Sequence, residues 1–304
     1  MSSLRANFGD LLEPGLRKIF DDKFKEMPEV FSSIFHVNSS DTDTERDSAM
    51  TGFGLLTQTG EGSPITYEDP VQMYDTIYVH AKYTKGFRVS EELWEDDRYN
   101  VIRKKPAALA KSCRRTAEFL ASNVFNNGFS TSYKGGDAVP LFSTVHPRAD
   151  GGTSQSNASG TGITLTEANL NTALLAMRNQ LDDKGMKIAV KADTIIVPPA
   201  LEKTAQILTN SKLRPGTADN DFNYYEGLLK VISWDWLTST TCWFILDSSE
   251  HELEWFWRIQ PEFKQDNSFD TGMALYKTRM RCSRGWSDWR GVWGSAGDGA
   301  AYSN

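Results

Sequence analysis

VPLFSTVHP (139–147), a Gly/Ser/Asn-rich loop, LTEANLNTALLAMRNQLDD (165–183) and DTIIVPPALEKTAQIL (193–208) follow one another in the stretch that decides the reading of this chain. Thr166 is placed to cap a helix, with Leu165 and Leu170 as a hydrophobic staple across its start. Leu170, Leu174, Met177 and Leu181 repeat on one helical face, and Asp182, Asp183 and Gly185 end the pattern. The short apolar run Thr194–Val197 predicts a buried strand, Pro198 and Pro199 turn the chain, and Pro199 suits the first position of a second helix carrying Leu201, Ala205 and Leu208. The loop before them joins Ser143, Thr144 and His146, the one grouping that raises the question of nucleophilic catalysis. A hydrolase needs its nucleophile on a strained elbow beside an oxyanion hole, and no GxSxG is present.

Working outward, residues 1–50 read as an arm. Leu16, Ile19, Phe20, Phe24, Met27 and Phe31 fall near helical spacing, with Pro14 suited to the helix start and Pro28 interrupting it. NSSDTDTERDSAM (38–50) reads as an extended polar linker. Residues 51–89 turn to Gly, Thr, Tyr and Val, and predict two antiparallel strands and their loop, a projecting hairpin that is marginal alone. Ser90 is a candidate cap for a short helix toward Arg103, and Pro106 for the start of a longer one. In that longer helix Ala110, Cys113, Ala117, Leu120 and Val124 share a face, and Gly128 stops it. Strands are expected within 228–247 and over 253–259 and 274–282, and the Gly/Ala/Ser-rich end is expected to be disordered. With no regular βαβ alternation, the fold class is α+β.

Composition removes several function classes. The 304 residues carry a net charge of −7 with Lys and Arg scattered along the chain, so no tight nucleic-acid footprint stands out. No run approaches the ~20 apolar residues of a membrane span, and the N-terminus lacks a signal-peptide layout, which predicts a protein that stays in the cytoplasm of the cell making it. Cys113, Cys242 and Cys282 are far apart without CxxC spacing and read as buried small hydrophobes. His36, His80, His146 and His251 show no metal-ligand spacing, the glycine pairs match no phosphate loop, and Asp96/Asp97 and Asp182/Asp183 read as solvated surface, so neither cofactor nor metal is expected. Eight of the nine tryptophans lie beyond residue 233, a bias that fits a subunit interface or a sheet core equally.

GLRKIFDDKFKEMPEVFSSIF (15–35), TGFGLL (51–56) with ITYEDPVQMY (65–74), GFRVSEEL (86–93), ASNVFNNGF (121–129), PLFSTVHP (140–147) and YYEGLLKVI (224–232), together with the opening stretch, resemble the major capsid proteins of tailed bacteriophages. The similarity is to the Mu-like major head subunit family, of HK97-type fold. It implies an N-terminal arm (1–50), an extended β-hairpin loop (51–89), a peripheral domain with a long spine helix (90–190), an axial domain (191–248), a return to the peripheral domain (249–297) and a flexible tail (298–304). It also implies pentamers and hexamers in an icosahedral shell around double-stranded DNA, bound without sequence specificity. Implied partners are a scaffolding protein or protease, a portal and a decoration protein, with the virion as final location and the host cytoplasm as the place of assembly. No long scaffolding region precedes the arm, which leads us to expect a separate scaffold or a processed chain. Phe20, Phe24, Phe53, Leu55, Tyr67, Tyr74, Trp286, Trp289 and Trp293 are the expected subunit contacts. The alternatives are a cellular compartment shell of the encapsulin kind and a hydrolase using Ser143 or Thr144 with His146.

Overall fold

The structure, a computed structural model, describes residues 8–90, 92–93, 96, 101–148, 151–213, 221–268 and 273–302, without the side chains of 8–13, 49 and 267. The chain divides into two compact units: residues 1–45, 78–121 and 255–284 form the first, and 46–77, 122–254 and 285–304 the second.

The first unit is a sheet with helices. Strands β1 (His36–Ser39), β8 (Leu253–Ser268), β9 (Met273–Trp286) and β4 (Ala81–Val89) are ordered β1-β8-β9-β4, with β4 antiparallel to β9. Helix α1 (Phe8–Glu26) ends two residues before Pro28, as the backbone restriction ahead of proline requires, although it starts well before Pro14. Helix α2 runs unbroken from Val101 to Asn126. Pro106 lies inside it and not at its start, removing one intrahelical donor near the first turn. Leu93 N donates to Ser90 Oγ (3.3 Å), consistent with the cap; most of the short helix expected after it lies outside the described residues. Leu16 and Phe20 of α1, Ile102, Leu109, Ala110 and Cys113 of α2, and Val89, Phe263 and Tyr276 of the sheet share one core. A buried carboxylate fixes the chain after α1: Glu118 Oε1 accepts from Val30 N (2.7 Å) and Phe31 N (3.4 Å).

The second unit holds strands β10 (Val292–Ser295), β7 (Trp243–Leu246), β5 (Thr194–Val197) and β6 (Lys230–Ser233), ordered β10-β7-β5-β6. β5 and β6 are parallel and joined through α4 (Pro199–Asn210), whose first residue is Pro199 as its sequence suggests. Helix α3 (Glu167–Arg178) starts at the Thr166 cap, where the side chain accepts from Asn169 N. Leu170, Ala173 and Met177 of α3 and Ala205 and Leu208 of α4 bury against Ile195, Val197, Trp243, Ile245 and Trp293. A second aromatic cluster gathers Phe125, Phe142, Phe244 and Trp234, with ring centroids 5.0 to 6.1 Å apart.

Several expectations are corrected. The 38–50 stretch is no linker: it supplies the end of β1 and all of β2 (Thr44–Met50), which pairs with β3 (Gln72–Val79). β3 and β4 are consecutive yet pair with different partners, β2 and β9, so the projecting ladder is β2–β3 with 51–71 as its connection. The C-terminal segment contributes the fully buried β10. Beyond it Tyr302 stacks on Phe129 (4.6 Å) and its hydroxyl accepts from Ala296 N (3.0 Å), so this part of the tail is packed. Trp234, Trp243, Trp255 and Trp293 are among the largest fully buried side chains, which decides the tryptophan bias in favour of core packing.

Candidate subunit-contact surface

Strands β2 and β3 carry a long connection that closes at its base and opens at its tip. Thr51 N donates to Val71 O (2.9 Å), and Val71 N donates to Thr51 Oγ1 (2.9 Å), clamping the two ends together. Further out Gly54 N donates to Glu68 Oε2 (2.8 Å), the Thr57 and Thr66 hydroxyls meet at 3.3 Å, and Gly62 turns the tip with φ 77°. A positive φ is strained for side chains with a Cβ and natural for glycine. Lys184 Nζ bonds Glu68 Oε1 (2.5 Å), and this hydrogen bond, then that from Gly54, holds the Glu68 carboxyl below its ordinary range. At the ladder itself Ser48 Oγ donates to Asp75 Oδ1 (2.6 Å), the main cause lowering the Asp75 carboxyl.

These polar braces leave the apolar side chains facing out. Phe53 is 62% exposed, Leu55 83%, Leu56 99%, Ile65 63% and Tyr67 85%. Scattered apolar residues on a surface need no explanation, but this many on one connection make it the candidate interaction surface.

The expected contact residues divide by placement. Phe53, Leu55 and Tyr67 lie on this exposed connection, and Phe24, Tyr74 and Trp286 are half-buried. Phe20, Trp289 and Trp293 are at 1%, 4% and 2% exposure, taken up by the interior of their own units and therefore not presented to a neighbour. Sequence reasoning missed Leu56, Ile65 and Met50, whose exposure follows from the backbone path between β2 and β3 and not from periodicity.

The Ser143/His146 grouping is a structural hub. His146 is fully buried, with Nδ1 2.7 Å from Asp137 Oδ2 and Nε2 3.1 Å from Asn157 Oδ1. Its ring stacks on Trp289 at 4.3 Å, and the Arg290 guanidinium sits over the same indole at 4.8 Å while pairing Asp288 (2.7 Å) and Asp183 (3.2 Å). Asn157 is committed as well: Oδ1 accepts from Ser143 N (2.9 Å) and Nδ2 donates to Leu141 O (2.7 Å) and Trp289 O (3.3 Å). With both ring nitrogens engaged, His146 has none left to receive a proton from a hydroxyl. A space of only about 20 Å³ adjoins the hub beside Tyr74, Asp137 and Trp286, far below the ~300 Å³ of a small-molecule site. His80 is similarly enclosed, between Ser40 Oγ (2.9 Å) and Ser283 Oγ (3.0 Å), with burial pushing its pKa down.

Cys113, Cys242 and Cys282 are free and buried, and burial raises all three thiols, Cys242 to about 11 and Cys282 to about 12. Among the described residues no group of three or more His, Cys, Asp or Glu is arranged to hold a metal ion, and no helix is long and apolar enough to cross a membrane.

The chain thus consists of two units built around sheets, an N-terminal helix and a braced loop whose apolar side chains face out. The model of the phage capsid protein family matches residues 73–295, and the chain belongs to that family. No curated protein matches the sequence. Among solved structures, the procapsid of bacteriophage JBD30 is 15% identical with a TM-score of 0.54, covering 99% of this chain and 77% of that one. The capsid of cyanophage P-SCSP1u is 10% identical with a TM-score of 0.58, covering 88% and 87%. A virus-like particle from Pyrococcus furiosus is 11% identical with a TM-score of 0.51, covering 93% and 98%. At these identities the likeness carries the fold, which is the HK97-like capsid fold.

Proposed function

We propose that the chain is the major head protein of a tailed double-stranded DNA bacteriophage, assembling as pentamers and hexamers into an icosahedral shell. The observation that carries this reading is the exposed apolar row on the β2–β3 connection, from Phe53 to Tyr67, in a member of the capsid family. Burying such a row against a second copy is what makes assembly favourable, at roughly 25 cal/mol per Å² of apolar surface.

In this reading residues 1–50 are the N-terminal arm and 51–89 contain the loop that lies across the adjacent subunit. The peripheral domain spans 90–190 and 249–297 with α2 as its spine, the axial domain spans 191–248, and 298–304 is a tail. Phe24, Phe53, Leu55, Tyr67, Tyr74 and Trp286 remain the contact residues. The protein acts without catalysis or cofactor. It works with a scaffolding protein or protease, a portal and a decoration protein, is assembled in the host cytoplasm, and encloses DNA in the virion.

Deletion of residues 54–69 tests the reading. The Thr51–Val71 clamp lies outside the deleted segment, so the subunit should remain soluble and folded while stable shells are lost. Unchanged particle yield would refute the placement of inter-subunit contacts on the loop.

A further inference from the structure

On the β2–β3 connection the residues around Tyr67 take alternate sides. Thr66 and Glu68 are turned to the braces: the Thr66 hydroxyl meets that of Thr57 at 3.3 Å, and Glu68 takes Gly54 N and Lys184. Successive side chains of an extended stretch point to opposite sides, so Tyr67 and Asp69 face away from these partners. Both are exposed, Tyr67 at 85%. The connection therefore presents an aromatic ring and a carboxylate two residues apart, roughly 7 Å along the chain.

The first unit carries a surface of matching chemistry. In the β4–β9 ladder Phe87, Val89 and Tyr276 turn to the core shared with α1 and α2. Gly86, Arg88, Leu275 and Lys277 lie on the opposite face, Gly86 paired with Lys277 and Arg88 with Leu275. They border a groove of about 350 Å³, whose lining also includes Asp266. No side chain fits at position 86 without shifting the ladder, because its Cβ would stand 2.5 Å from Tyr276 O. A patch of bare backbone is thus built into this face, and glycine inside a strand is where another chain can approach closely.

Leu275 supplies an apolar wall beside the patch and is 39% exposed. β4 is the edge of its sheet, so no further strand of the chain covers that side. Glu262, on the same face, is committed to Arg279 (2.5 Å) and Lys264 (3.4 Å). Arg88 and Lys277 are left exposed to solvent, two cations against the one carboxylate of Asp266 in the groove lining.

We propose that this glycine notch is the acceptor for a second copy of the chain, with Tyr67 of one subunit lying on the Gly86 backbone against Leu275 and Asp69 meeting Arg88. The spacing agrees, since Tyr67 to Asp69 and Gly86 to Arg88 are each two residues of extended chain. An aromatic ring over a strand glycine restores the packing that the missing side chain leaves out. Tyr67 and the notch are both exposed in the single chain, so neither covers the other there. The acceptor rests on the capsid reading and gives the loop's contact its other half. A polyanion is the competing occupant, but it offers charge to Arg88 and Lys277 and nothing apolar to Leu275.

The test is a charge exchange across the contact. Asp69→Arg, Arg88→Glu, Tyr67→Ala and the double variant Asp69→Arg/Arg88→Glu are compared with wild type in the concentration threshold for assembly, read by light scattering, alone and with candidate scaffolding proteins. Each single variant should raise the threshold about tenfold, as loss of a close charge pair or of an aromatic anchor does. The double variant should return to within about threefold of wild type, and Tyr67→Phe should match wild type. These positions are exposed, so the melting temperature of the unassembled subunit should not move. If Arg88→Glu lowers it, Lys277→Glu paired with Asp69→Arg carries the same test. Unmoved thresholds in the single variants overturn the acceptor. A double variant no better than its worse parent overturns it too, and assigns the notch to another anion. In both cases a wild type that assembles leaves the capsid reading standing, whereas a wild type that forms no shell under any condition removes that reading and the acceptor with it.

Discussion

Replacing Leu55 and Leu56 together by Ser separates assembly from folding. The two side chains are 83% and 99% exposed, so the subunit's own stability should change by no more than about 0.5 kcal/mol. If both are buried against a neighbour, each substitution removes at least ~1.5 kcal/mol of transfer free energy, about 3 kcal/mol for the pair at one interface. At ~1.4 kcal/mol per decade that raises the concentration needed for assembly roughly 150-fold. Light scattering across a concentration series gives the assembly threshold, and thermal unfolding of the unassembled subunit gives the control. An unmoved threshold with an unmoved melting temperature would refute the assignment of this surface to subunit contact; a lowered melting temperature alone would show that the leucines pack within the subunit.

Three further outcomes follow from the interior. His146→Ala should destabilise the subunit by about 3 kcal/mol in chemical denaturation, because Asp137 loses its partner inside the hub and a stacked ring is removed from Trp289; a change under about 1 kcal/mol would contradict the hub. Gly291→Ala should cost about 2 kcal/mol or more, since φ is +76° and an added Cβ would sit 2.7 Å from the His251 backbone; wild-type stability would show that this turn relaxes freely. Cys242 and Cys282, with thiols raised to about 11 and 12, should resist alkylation at neutral and mildly alkaline pH in the folded chain and react once denaturant is added, the thiolate appearing only as pH nears those values; prompt labelling of the native chain would contradict their burial.

The elements legible in the amino-acid sequence are those whose burial is one-sided or complete. The Thr166 cap, the α3 face of Leu170 and Met177, the buried run of β5 and Pro199 at the start of α4 all leave periodic or positional marks. β1 is exposed along its whole length, so no alternation marks it, and polar β2 is hidden for the same reason. The hairpin expected over residues 51–89 misplaces the ladder because local pattern cannot tell a strand's partner; the register of β4 with β9 spans nearly two hundred residues. The hub is hidden for a similar reason. Asp137 and Asn157 flank His146 in a loop rich in Gly and Ser, and only the fold makes them its partners. Of the expected contact residues, Phe53, Leu55 and Tyr67 are exposed on the β2–β3 connection, whereas Phe20, Trp289 and Trp293 fill cores, a difference that aromatic content alone does not show.

Electron microscopy of the purified chain, expressed alone and with candidate scaffolding proteins, tests the central claim most directly. Closed icosahedral shells, with density for residues 51–71 lying against the neighbouring subunit, are the predicted result. A chain that stays monomeric at every concentration and with every candidate scaffold, its loop free in solution, would contradict the account.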